Sequence, residues 1–144
     1  MNKFLLFVTL LMIVSTFAIG NEVSQDQKNK LVGVWKSVEI VKDEPQAVLT
    51  IKNAGNGLEG NFILRGLTVE EKEDVAVEVP LTNISINGTT CSFQVTFQQG
   101  AEKMVVDWEL KLQNDNEAKF AWTKEDGKPV EDTSVLTFMM KRGS

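Results

Sequence analysis

The residue types that carry most acid–base and nucleophilic chemistry are nearly missing from this chain. It has no histidine, no tyrosine and a single cysteine, Cys91. A nucleophilic triad needs a base beside its hydroxyl or thiol, and zinc needs clustered cysteine or histidine donors. Neither can be assembled here in any usual form. Carboxylates remain. Glu70, Glu71, Glu73 and Asp74 crowd into "TVEEKEDVAVE", but a calcium loop needs six or more oxygens arranged around a turn. This stretch has no hinge glycine and no alternating Asp/Asn spacing, so a solvated hairpin tip is expected; "KEDGKPVED" fails in the same way. Asp107 and Glu109 fall on the polar side of an alternating run, where nothing raises a carboxyl pKa for acid–base work. No catalytic residue, metal site or cofactor is expected, and the chain is not expected to be an enzyme. Asn83-Ile84-Ser85 and Asn87-Gly88-Thr89 fit the N-glycosylation triplet, which has meaning only in a eukaryotic secretory pathway.

The elements around these residues are strands. In "KMVVDWELKLQ", Met104, Val106, Trp108, Leu110 and Leu112 share one face, while Asp107, Glu109 and Lys111 share the other. In "CSFQVTFQQ", Cys91, Phe93, Val95 and Phe97 oppose Ser92, Gln94 and Thr96. Side chains alternate across a pleated strand, so each run has one dry and one wet face, as in antiparallel sheet. Cys91 shares the dry face with Phe93 and is expected to be buried and inert. Turn chemistry falls between the runs: Asn56-Gly57, Asn87-Gly88, Gly100, Asp115-Asn116 and Asp126-Gly127. About nine strands are predicted, at 33–41, 46–53, 57–66, 74–80, 82–87, 90–98, 102–113, 116–124 and 132–141. A meander of that length exposes two edges unless it closes on itself. The expectation is a single antiparallel up-and-down β-barrel of eight or nine strands, with a two-sheet sandwich as the alternative.

The first twenty residues have another purpose. Lys3 precedes an apolar run from Phe4 to Ile19, and Ala18-Ile19-Gly20 supplies small residues for cleavage. A signal peptide over 1–20 is predicted, then a flexible leader or short helical turn over 21–30, then one barrel domain over 31–142. The product would be secreted or periplasmic, without stable membrane insertion once the signal is cut. The net charge is −5, and loss of Lys3 makes it more negative. Phosphate binding needs clustered cations, so neither nucleic acid nor an anionic membrane is an expected partner.

The start "LVGVWKSVE", the meander and the closing "LTFMMKRGS" together resemble the calycins, the group that includes lipocalins, fatty-acid-binding proteins and avidins. The resemblance implies a lipocalin-like barrel in which Gly33 lets the chain swing under the base and Trp35 plugs it. Arg142, or less readily Lys141, would lie across the indole. The likeness to small secreted lipocalin-like domains of unassigned role extends over about 110 residues, although three positions carry it. Two branches fit poorly. The carboxylate anchor of fatty-acid-binding proteins needs a tyrosine, and Ser37 stands where the avidin pattern wants asparagine. On the residues alone, Trp35 can equally be a core tryptophan at a strand start.

The expected function is non-enzymatic binding of a small apolar ligand in the lumen, against Phe62, Leu64, Phe93, Phe97, Trp108, Trp122 and Phe138. The same residues can instead interdigitate and fill the interior. The chain would then be a protein-interaction module, or an inhibitor of an extracellular enzyme, working through its outer loops.

Overall fold

The structure, a computed structural model, describes residues 24–69, 72–131 and 137–143. The expected signal segment, Glu70, Glu71 and the start of the last predicted strand lie outside the described residues. Among the described residues no helix is long and apolar enough to cross a membrane.

A short helix α1 (Gln25–Leu31) leads in, occupying most of the expected leader. Ser24 caps it, its side chain accepting the Gln27 N–H. Strand β1 (Gly33–Ser37) follows. The run predicted to continue to residue 41 stops at Ser37, whose hydroxyl donates to the Glu39 carbonyl and accepts from the Ala47 N–H. A small hairpin of β2 (Ile40–Val41) and β3 (Glu44–Pro45) stands between, turned by Lys42 and Asp43 at positive φ. It rests on the sheet through Arg65, which pairs with Glu44 at 2.7 Å and donates to the Pro45 carbonyl.

The main meander is β4 (Ala47–Ala54), β5 (Gly57–Val69), β6 (Lys72–Pro80), β7 (Thr82–Asn87), β8 (Thr90–Gln99), β9 (Glu102–Leu112) and β10 (Glu117–Glu125). A two-residue β11 (Lys128–Pro129) and the closing β12 (Thr137–Arg142) complete it. Asp126 and Gly127 both take positive φ, the condition a tight two-residue hairpin imposes. At the β4–β5 turn the left-handed residue is Gly55, one step before the predicted Asn56-Gly57 pair.

Twelve strands are described where eight or nine were predicted. Ten form one antiparallel sheet in the order β6-β5-β4-β1-β12-β10-β9-β8-β7, with β11 appended to β10. The first and last main strands pair directly, Trp35 opposite Arg142 and Lys36 opposite Lys141. The sheet does not close into a ring of ladders, because β6 and β7 share none. Direction explains this. Nine strands lie along the antiparallel path, so its two ends, β6 and β7, run the same way. They are successive halves of one run, bent at Pro80-Leu81, where a simple meander needs a reversal. Proline has no N–H for a ladder and suits such an edge. Leu81 is buried and donates its N–H to the Gly60 carbonyl, while Thr82 already bonds to β8 through Gln94. Across the corner, β6 lies against β8 and β5 against β7.

Gly60 sits where this corner meets β4. A Cβ there would overlap the Thr50 carbonyl oxygen and press on Leu81. Since the obstacle is backbone, Gly60→Ala is expected to cost about 2 kcal/mol or more. Urea unfolding would show it as a lowered midpoint with an unchanged slope.

Candidate functional site

One end of the curled sheet is sealed by residues from distant parts of the chain. Trp35 is fully buried, and its Nε1–H donates to the Leu31 carbonyl at 3.0 Å. The Arg142 guanidinium lies over the indole, 4.4 Å from the ring centroid. Its Nε donates to the Asp115 carbonyl at 2.8 Å, its Nη1 to Val32 at 2.7 Å, and its Nη2 to Lys30. A helix leaves its last carbonyls without partners and presents negative potential there. Around the end of α1 these carbonyls are taken by one indole and one guanidinium. Gly33 is part of the same joint. Its φ is +140°, and a Cβ would stand 2.9 Å from Arg142 Nη1. Gly33, Trp35 and Arg142 therefore meet at one place, and Lys141 points to the outer face instead.

Above this base the predicted lumen residues form a nest of rings. Trp108 stacks on Phe120 at 4.4 Å between centroids, and Phe62 meets both edge-on at 5.1 and 5.2 Å. Phe93 stacks on Phe120 at 5.8 Å, and Phe138 faces Trp108 at 6.3 Å. Such pairs hold by shape and by quadrupole contacts. The mid-interior is thus occupied by side chains. Phe120, an inward position by sequence but not one of the seven expected ligand contacts, touches Phe62, Phe93, Trp108 and Phe138. Its alternation with Trp122 along β10 marks it as inward. Trp108 is 1 % exposed, and its Nε1–H has no hydrogen-bond partner among the described residues.

Towards the other end the burial loosens. Phe97 pairs with Met104 across β8 and β9, and both are only half-buried. They stand four rungs past Phe93–Trp108, about 13 Å along the strand. Trp122, Leu67 and Val77 are also half-buried and packed on the core, whereas Leu64 is buried. Trp122 Nε1 donates to the Lys124 carbonyl across the bulge at Thr123. On the outer side, a groove of about 270 Å³ crosses β7 to β10 and is lined largely by polar groups such as Asn83, Gln94, Asp107 and Lys124. Asn83 is held there by Gln94 at 2.6 Å, and Asn87 is exposed beside the Gly88 turn. Among the described residues no cluster of three His, Cys, Asp or Glu could hold a metal.

Comparison with family models, curated proteins and solved structures finds no match.

Two outcomes follow. Replacing Arg142 with alanine removes the cation over Trp35 and three charge-assisted bonds, for an expected loss of about 2–4 kcal/mol. Arg142→Lys should recover less than half, since an ammonium cannot span three carbonyls; urea midpoints would measure both. Burial also pushes the Cys91 thiol up from 9.0 to about 12. Between those values the unfolded chain releases the proton and the folded one keeps it, so stability falls as pH rises. From about pH 8 to about pH 10 this group should remove roughly 1 kcal/mol, and Cys91→Ala should abolish that share of the decline.

Proposed function

We propose that this chain is an exported, non-enzymatic binding protein of the calycin kind, with a curled sheet serving as a one-mouthed cup for a small apolar molecule. The reading rests on the difference between the two ends. At one, Trp35 is fully buried beneath Arg142 and α1. At the other, Phe97, Met104, Trp122, Leu67 and Val77 present apolar surface that packs on the core on one side and is half-exposed on the other. The ring nest of Trp108, Phe120, Phe62 and Phe93 limits depth. A ligand would rest on that nest as on a floor, held by Phe97 and Trp122, with Phe62, Phe93, Trp108 and Phe138 beneath. Mostly apolar walls with few polar anchors suit an apolar ligand. The lipocalin-like barrel, the calycin kinship and the export by residues 1–20 belong to this proposal.

The packed nest itself favours a second reading, a filled scaffold that engages a protein partner through its outer surface. One titration separates the two. The neutral fluorophore N-phenylnaphthylamine should gain emission on binding at a single saturable site of the folded protein. Phe97→Arg, which puts a charge in the mouth, should weaken that binding at least about ten-fold while leaving the urea midpoint near wild type. No gain in emission up to the probe's solubility, or equal binding by Phe97→Arg, rejects the cup and leaves the scaffold.

A further inference from the structure

The chain is acidic overall, with 20 acidic residues against 15 basic, but its outer faces are not alike. Strand register brings Lys36, Lys111, Lys119 and Lys141 together although they are scattered along the sequence. Lys36 lies directly opposite Lys141 across β1 and β12, and Lys119 directly opposite Lys111 across β10 and β9. Met139 joins the two pairs, since it neighbours Lys141 and opposes Lys119. All five residues are exposed. Like charges directly opposite across a ladder repel, and none of the four lysines forms an ion pair among the described residues. The one carboxylate opposite them, Glu117, accepts a bond from Asn114.

Apolar side chains stand beside this stripe. Met139 is 44 % exposed, Val38 51 % and Ile40 58 %, the large hydrophobics most open to solvent. Val38 is bonded to Met139 through its N–H at 2.9 Å, so the patch is continuous with the lysine pairs. Acids also lie on this face, Glu117 opposite Lys141 and Asp107 and Glu109 ahead of Lys111 on β9, while a separate acidic group, Glu73, Asp74 and Glu78, lies on β6 at the far edge of the sheet.

From this arrangement we infer that the outer face of β1, β12, β10 and β9 docks on an anionic lipid surface. Unpaired cations match the headgroup charge, and exposed Met139, Val38 and Ile40 supply the apolar contact that a soluble polyanion would leave unused. The acidic β6 edge faces away, which orients the molecule. The inference is independent of the proposed cup.

Co-sedimentation with vesicles tests it on the full chain expressed without residues 1–20. Wild type should sediment with phosphatidylcholine vesicles containing phosphatidylglycerol and stay in solution with phosphatidylcholine alone. Partitioning should vanish near about 1 M salt, where charges are screened within a few ångströms. Each lysine near the surface is worth about a five-fold change, so Lys36→Gln with Lys141→Gln should cost about 25-fold. The control variant changing Lys72 and Lys128 to glutamine removes the same charge off the face and should bind like wild type, and Met139→Ser should weaken binding although it removes no charge. Failure of wild type to sediment at low salt, or equal loss in the control, overturns the inference. So does tight binding of polyglutamate that Met139→Ser leaves unchanged, which would mark an acidic protein as the partner.

Discussion

The pairing of β1 with β12 is the constraint on which this molecule depends. It brings Trp35 and Arg142 from opposite ends of the chain onto one rung. Every other long ladder joins strands that are neighbours along the meander, and such ladders alone would give a ribbon with two distant edges. An odd number of antiparallel strands leaves β6 and β7 pointing the same way, so no antiparallel ladder can close the sheet there. Curvature is therefore held at one side by β1–β12 and at the other by the covalent corner at Leu81. The guanidinium adds what a backbone ladder lacks. By bonding to the carbonyls of Lys30, Val32 and Asp115 it fixes the helix, the first strand and the β9–β10 turn to the last strand at once.

Much of this was legible because a strand's period is two. Alternation in 91–98 and 104–112 assigned Cys91, Phe93, Trp108 and Leu110 to the inside, and all four are buried. Reversal points were legible wherever glycine or asparagine marked them. What escaped notice is the corner. Val75, Val77, Val79 and Leu81 keep an odd phase, then Ile84 and Ile86 follow an even one. That change of phase is the written trace of the irregularity near Asn83, which takes a positive φ of 50°. Read as two short strands, the stretch suggested a reversal. Read for phase, it shows one run changing partners. Helix α1 was legible only as one of two alternatives, a short helical turn or a flexible leader, because seven residues span too few turns for a period to decide.

The interior shows why residue type alone left cup and filled core unresolved. Whether aromatic side chains line a space or consume it depends on how they meet, and that is set by shear and bulges more than by composition. Here the ladders shift register after Trp122 on β10 and between Leu64 and Val69 on β5, and in the middle of the sheet the rings touch. Phe97 and Met104 lie beyond the nest and are half-buried.

Net charge is uninformative in a comparable way, since it averages over faces that register keeps apart. The rung that turns Trp35 and Arg142 inward is followed by one that turns Lys36 and Lys141 outward. A slip of one residue in this ladder would invert both, putting two lysines under the base and the indole in water. The cost of burying unpaired ammonium groups makes that slip untenable. The lysines thus enforce the register that seats the tryptophan, and the tryptophan's fit holds them on one outer face. Sealed base and basic face are two sides of a single pairing decision.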